Sequence, residues 1–427
     1  MTAMTERPYT IFHPLNFIAL SFFFGVFGRT LFILGSDSPS VGFLLDYRDV
    51  TTLYSGAVLS MIGSILLCVG WLVGRPFELS LHWLGRWFGA WRRRGFLTWS
   101  PVLWIVAAIA TVLFLRATGF TFTTLTELSA KRRVETDGSL QAALGYHRLI
   151  GQELPKVALL MFIAMWSQGF KRAGVLVGIA AFGLLAIALP FLASSRAGVL
   201  MSLIAICVVL DMTRGLKIRT LALALVVSVT IIFGMLALRR VNTRGSTFSA
   251  AIVELGFEPL FGNRNFADIT KLSHVYEGVP SQIDYKYGSS YLNILYAPVP
   301  RTVWPDKPAI SMGYELTQKL YNRDAGRELK GGGTPPGIFA ESVVNFGIFG
   351  LPVIAFIGGV WLRLLHNTLL LQADTSTCGV VLYATVLPAY CLMLMSGDFT
   401  RGLIIILANT ALVMFVALLG RFQLNLR

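Results

Sequence analysis

The sequence predicts an all-α, polytopic integral membrane protein with about ten transmembrane helices. Three observations carry that prediction. Of 427 residues, 55% are hydrophobic and only 14% are charged, against about 25% charged in soluble domains. The mean hydropathy is +0.67. Apolar runs near 20 residues, enough to cross a hydrocarbon core about 30 Å thick, recur along the whole chain. Together these exclude a water-soluble enzyme, a disordered chain and a DNA-binding domain. The net charge of +14 is spread between the apolar runs, which fits an anionic lipid bilayer as partner and no nucleic acid.

The ten runs stand at 12–35, 53–74, 101–118, 155–170, 173–193, 198–213, 220–238, 338–362, 378–396 and 403–420. The first is too long for a signal-peptide core and lacks a small-x-small cleavage site, so it is expected to remain as the first span. The run at 198–213 is short, and that at 338–362 is interrupted by Gly347, Gly350 and Pro352. Cys68, Cys207, Cys378 and Cys391 fall in or beside apolar runs without metal-binding spacing, so neither disulfides nor a metal site is expected. The chain reads as one transmembrane domain over 1–427, with a segment at 75–98 and long loops at 119–154 and 239–337, the second the larger and partly helical.

Ten spans place both termini on one side. Arg75, Arg86, Arg92–Arg94, Lys171, Arg172, Arg214, Lys217, Arg219, Arg363, Arg421 and Arg427 all fall on that side, which the positive-inside rule makes cytoplasmic. Segment 75–98 interleaves Trp83, Trp87 and Trp91 with arginines and reads as an amphipathic helix on the inner leaflet. Both long loops then lie outside. Gly331–Gly333 with Pro335 and Pro336 reads as a hinge where the chain re-enters the membrane.

Several basic residues sit against the rule. Arg29 lies about 26 Å up its helix from Phe12, and Arg116 about 22 Å up from Pro101. Arg196 occupies a tight turn, Arg239 and Arg240 end a span, and Arg401 follows Gly397-Asp398 in another turn. All come out near the outer interface. An arginine within the membrane costs about 3 kcal/mol on insertion scales, so a set at one depth asks for a shared counter-charge. Phosphate fits, because its oxygens pair bidentately with guanidinium. Taken singly, each arginine is also explained by snorkelling to headgroups.

Other chemistry is sparse. There is no DxD, GxSxG, HExxH or Walker-type loop. Glu135 and Asp137 stand beside Lys131, Arg132 and Arg133, the pattern of a salt-bridged loop. Only His147 and His274 among the histidines fall outside, and Glu341 lies near the outer start of the eighth span.

Two segments are distinctive. One runs Tyr287-Gly288-Ser289-Ser290-Tyr291 and continues Pro298-Val299-Pro300-Arg301-Thr302-Val303-Trp304-Pro305-Asp306-Lys307-Pro308. The other is Thr334-Pro335-Pro336 followed by Phe339-Ala340-Glu341-Ser342-Val343-Val344-Asn345-Phe346-Gly347-Ile348-Phe349-Gly350. With the Ser194-Ser195-Arg196 turn, these resemble the Wzy-type O-antigen and exopolysaccharide repeat-unit polymerases. The hydropathy layout matches over nearly the whole chain, the motifs over about 70 residues. One departure stands out: the Arg-x10-Gly spacing of some members is missing, since Leu144 and Leu255 stand where glycines would follow Arg133 and Arg244.

The resemblance implies a GT-C-like glycosyltransferase of the bacterial inner membrane, related to O-antigen ligases. Its substrates would be undecaprenyl-pyrophosphate-linked oligosaccharides, it would need no metal or organic cofactor, and a chain-length regulator would be its protein partner. In that reading Arg196, Arg239, Arg240, Arg301 and Arg401 bind and polarise pyrophosphate. Glu341 and His274 are the candidate bases, with Asp306 and His147 behind them. Lys307 contacts substrate, Tyr287, Tyr291 and Trp304 offer stacking faces for sugars, and Asn345 belongs to the re-entering helix. The same proline-rich segment also reads as a stiffened loop with Trp304 as an interfacial anchor. Two rivals stay open: an O-antigen ligase, through His274, and a lipid-linked oligosaccharide flippase, against which the one-sided polar mass argues.

Overall fold

In lipid no water satisfies the backbone, so an apolar run must close its own hydrogen bonds. All ten runs do so as helices. The computed structural model describes residues 11–35, 50–79, 81–117, 149–192, 196–244, 247–255, 269–299, 303–304, 306–308, 310–321 and 335–422, and none of these is in a strand. In chain order the helices are α1 Pro14–Leu34, α2 Val50–Val73, α3 His82–Gly89, α4 Arg93–Ala117, α5 Leu154–Ser167, α6 Ala173–Leu192, α7 Arg196–Arg214, α8 Ile218–Arg244, α9 Phe248–Leu255, α10 Ile269–Gly278, α11 Gly337–Thr375, α12 Thr377–Ser396 and α13 Phe399–Leu419.

Among the described residues seven helices are long and apolar enough to cross a membrane: α1, α2, α4, α8, α11, α12 and α13. The chain is an all-α, multi-pass membrane protein. Of the other three runs, α5 has 14 residues, a rise of about 21 Å, and is continuous with the π-helical turn Leu149–Glu153 before it, while α6 is apolar over all 20 residues of Ala173–Leu192. Helix α7 carries Arg196, Asp211 and Arg214 within its 19 residues.

Which helix occupies the middle is a matter of packing. Helix α12 has 83% of its apolar window buried, against 12% for α8. It packs on α1, α5, α7, α11 and α13. Helix α8 leaves Leu223, Leu225 and Val226 exposed, the surface expected to face lipid.

A close approach of two backbones joins α2 to α11. Gly56, Gly63 and Gly70 recur every seven residues along α2. A Cβ at Gly70 would collide with the carbonyl oxygen of Phe356, and one at Gly359 with that of Leu67. A Cβ at Gly63 would stand 2.8 Å from the ring of Phe339, and one at Gly56 would strike Ser273 Oγ of α10. Small residues of this kind let two backbones touch where no hydrophobic gradient draws helices together.

Helix α11 is two helices joined at Gly347, whose φ of 68° and ψ of −166° no other residue adopts without strain. A straight helix would separate Ile338 from Gly358 by about 30 Å. Here a Cβ at Gly358 would stand 2.7 Å from Ile338 Cδ1. Residues 337–346 therefore form a half-helix folded back along 348–375. The reversal falls inside the run expected as the eighth span, 338–362: of its three interruptions Gly347 makes the turn while Pro352 lies within the helix, and the glycines of the hinge expected before it, 331–333, are outside the described residues.

The expected interfacial segment 75–98 is divided. Only His82–Gly89 forms a separate helix, with Leu84 and Phe88 buried and Trp83 exposed. Trp91 seats against Gly420, the Arg92 N–H donates to the Gly420 carbonyl at 3.2 Å, and the chain is already in α4 by Arg93. Arg421 Nη2 donates to Trp87 O at 2.9 Å and Asn367 Nδ2 to Phe77 O at 2.9 Å, tying this end of the bundle together.

Replacing Gly70 by Val is expected to destabilise the full-length protein in detergent by about 1–3 kcal/mol or more, since the obstructing atom is backbone. Gly89→Ala, with nothing within 4 Å of the added atom, should leave the thermal midpoint in place. Equal midpoints for the two variants would refute the close-approach seam.

Candidate functional site

The half-helix places Glu341 and Asn345 four residues apart on one face. Because Gly347 stops the helix, the last carbonyls of the half-helix lose their intrahelical partners. A loop supplies replacements. The Lys286 N–H donates to Val344 O and the Tyr287 N–H to Asn345 O, both at 3.0 Å. Tyr287 and Gly288 take successive positive φ values, 47° and 86°, which turns consecutive N–H groups toward one anchor. The Gly288 N–H then donates to Asn345 Oδ1 at 2.9 Å.

Ser290 continues the network. Its hydroxyl donates to Glu341 Oε1 and accepts from Asn345 Nδ2, each at 2.8 Å. Asn345 Nδ2 also donates to Glu341 O at 2.8 Å. The other carboxylate oxygen, Glu341 Oε2, accepts the Phe399 N–H at 2.8 Å, and Asp398 Oδ1 accepts the Arg401 N–H at 2.9 Å. Thr400 Oγ1 donates to Ser290 O at 2.8 Å. Two carboxylates thus cap the first turn of α13, where free N–H groups and the helix dipole favour negative charge. Glu341 is 1% exposed, Asn345 0%, Ser290 6%, Asp398 3% and Thr400 1%. Gly337, with φ of 79°, closes the base by donating its N–H to Gly397 O at 2.7 Å.

The rim is aromatic. The Tyr291 ring meets Phe399 edge-on at 5.3 Å and lies 6.2 Å from Phe346. Burial, and then the charge of Glu341, push the Tyr291 hydroxyl well above its ordinary range, so it stays protonated. Beside it, Lys286 and Lys319 both bind Glu315, at 2.9 and 3.0 Å. Burial alone would raise the Glu315 carboxyl, but the two lysine hydrogen bonds outweigh it and hold it below the usual range.

Five of the residues singled out in the sequence meet here: Glu341, Asn345, Tyr287, Tyr291 and Arg401. Their geometry refines the roles. Both Glu341 oxygens are engaged in hydrogen bonds, so it clamps three segments together. The Tyr287 side chain is 79% exposed, and the Arg401 side chain projects from the first turn of α13 into the open. Lys307 is buried and donates to the carbonyls of Ala297 and Val299 at 2.7 and 2.8 Å. It folds the proline-rich loop on itself instead of offering its charge outward. Trp304 stacks edge-on against Tyr296 at 5.9 Å and remains 41% exposed. His274 sits half-buried on α10, a helix packed on α11. Arg196 begins α7, and Arg239 and Arg240 lie in the closing turns of α8. Arg301, His147, Glu135, Asp137 and Gly331–Gly333 fall outside the described residues.

Ser290, Asp398 and Thr400 were not read as site residues from the sequence. Asp398 had a local signal, an aspartate directly before an apolar helix as an N-cap. Ser290 stood in a distinctive segment, but its role and that of Thr400 are each defined by a partner on another segment.

Fold and site together define a class: a helical membrane protein with a buried polar hub where a half-helix, a loop and a helix start meet. Comparison with protein-family models, with curated proteins and with solved structures finds no match.

Glu341→Ala should cost about 1–3 kcal/mol for each buried donor left without a partner, read as thermal unfolding of the detergent-solubilised protein. Unchanged stability would mean the hub is not a clamp. Glu315 offers a test by pH. Its folded carboxyl titrates below the unfolded one, so its contribution is present above the ordinary carboxylate range, about pH 4.3, and is lost as pH falls through the lowered folded value. Glu315→Gln should flatten that acid limb modestly, the pair being about a third exposed; an identical acid limb in the variant would assign it elsewhere.

Proposed function

We propose that this protein is a membrane glycosyltransferase that polymerises undecaprenyl-pyrophosphate-linked oligosaccharide repeat units on the outer face of a bacterial inner membrane. One observation carries the reading. The two segments on which the resemblance rests, around 287–291 and 339–350, are bound to each other by side-chain and backbone hydrogen bonds. Motifs that served separate purposes would have no need to meet.

In this reading all ten apolar helices cross the bilayer in a GT-C-like arrangement with both termini cytoplasmic. The hub lies at the outer end, a chain-length regulator docks from outside, and no metal or organic cofactor takes part. An acceptor hydroxyl attacks the anomeric carbon of the donor chain. The glycosidic C–O bond to pyrophosphate breaks, and the hydroxyl proton passes to a base. Charge builds on the leaving pyrophosphate, and preorganised cations aimed at it supply the largest usual catalytic effect. Arg401, held at the start of α13, is aimed by the hub, while Arg196, Arg239, Arg240 and Arg301 complete the anion site. Tyr287 and Trp304 are the open sugar faces. Glu341, Asn345, Tyr291 and Lys307 are positioning residues, which leaves His274 as the candidate base.

The test is the lipid-linked saccharide profile of a host lacking the gene. Accumulated single repeats without a ladder, restored by the wild-type gene, are expected. Long lipid-linked chains that never reach lipid A would mean a ligase, and repeats confined to the cytoplasmic leaflet a flippase. Arg401→Ala and Arg301→Ala should each lower polymer yield by about tenfold or more while the protein stays folded and inserted; a normal ladder from either variant would make that arginine an anchor only.

A further inference from the structure

A second polar feature lies at the other end of the bundle. The hub sits at the Ser396 end of α12; Thr377 begins the same helix, about 28 Å away. Around Thr377 opens a cavity of about 520 Å³, within the range of small-molecule sites, about 300–1,000 Å³. Arg92, Arg93, Arg94 and Arg172 line it with Phe170, and no carboxylate does.

Four guanidinium groups around one cavity repel one another. Among the described residues none of the four is in an ion pair with a carboxylate. Two of them, Arg93 and Arg172, are held in place by neutral groups. Arg172 and Arg93 both stack on the Phe170 ring, with guanidinium carbons 4.9 and 5.6 Å from its centroid. Gln168 Oε1 accepts from Arg93 Nη2 at 3.2 Å and from Thr377 Oγ1 at 3.0 Å. Three helices also begin at this rim, α4 at Arg93, α6 at Ala173 and α12 at Thr377, and none has an acidic residue in its first turn. Each start adds a partial positive charge, about half an elementary charge. The cavity is therefore a positive concavity in which Arg93 and Arg172 are fixed on Phe170 while Arg92 and Arg94 stand exposed at its edge.

We propose that this cavity binds a phosphate-bearing anion. Guanidinium forks, converging helix starts and the Thr377 hydroxyl all suit phosphate oxygens. Two sources carry that chemistry, an acidic phospholipid headgroup and a soluble polyphosphate. The neighbouring helix α3, with Trp83 exposed and Arg421 stacked on Trp87 at 4.4 Å, marks this rim as a headgroup-level surface of the kind where basic pockets between helices take anionic lipid. The inference is independent of the polymerase reading.

Full-length protein purified in detergent is tested with two probes: cardiolipin against phosphatidylcholine, read by native mass spectrometry, and inorganic tripolyphosphate in lipid-free micelles, read by calorimetry. Cardiolipin retained over phosphatidylcholine, and weakened about fivefold per arginine in R93Q/R172Q, would show a lipid site. Tripolyphosphate binding with the same dependence, without cardiolipin retention, would show a soluble one. R219Q, which removes an exposed arginine from α8 outside the cavity, should bind like wild type. Should R93Q/R172Q fail to elute as a single folded species, T377E sets a carboxylate in the cavity with every arginine kept, and the same loss is expected. Neither probe bound by wild type, an equal loss in R219Q, or wild-type binding by T377E would each overturn the proposal.

Discussion

The contact between α2 and α11 is the constraint on which the rest of the structure depends. In lipid, apolar side chains gain nothing by leaving solvent for a neighbour, so helices associate through van der Waals fit and hydrogen bonds. Glycine at 63, 70 and 359 lets two backbones and an aromatic ring occupy space that any Cβ would fill. That contact seats the long arm of α11 and brings Phe339 of the half-helix against the same stripe of α2. Once both arms are held there, the chain between them must reverse at Gly347, and the carbonyls freed by the reversal must be satisfied. The loop at 286–288 satisfies them. The polar hub is thus a consequence of a packing decision made two turns deeper in the bundle.

Burying Glu341 and Asp398 side by side is costly unless donors meet them. The start of α13 provides N–H groups and a favourable dipole, and Ser290 provides a hydroxyl. The network links the half-helix to α13 and to the loop, and no member can move alone without leaving a buried group unmet. Rigidity of this sort suits a platform that aims exposed groups, and Tyr287 and Arg401 are the groups it aims. The arginines beside Thr377 surround a cavity of their own at the other end of α12.

Much of the fold was legible in the sequence because hydrophobic length is a local property. All ten apolar runs became helices, and the interruption at Gly347 was visible as a glycine inside a span. The segment at 75–98 was misjudged as one helix, since nothing local marks Trp91 as seated on Gly420, more than three hundred residues away in the chain. The glycine repeat along α2 was legible in spacing but not in meaning, for a seam needs a partner to be recognised. In the site, Glu341 and Asn345 stood out through their motif, whereas Ser290 lay in a distinctive segment without a role and Thr400 was silent.

What the sequence by itself determined is the class of molecule: a multi-pass helical membrane protein, its polar residues gathered into loops and helix ends. Composition decides this because every backbone group in hydrocarbon must be paired within its own segment. What only the tertiary structure decided is the arrangement: that α12, apolar on every side like the other spans, is the buried axis while α8 lies at the rim, and that Glu341 is a clamp while Lys307 turns inward. A helix apolar all round carries no signal of which neighbours will surround it. A charged side chain likewise has the same letter whether its partners are water or buried backbone, so its role is set by the segments that packing brings to it.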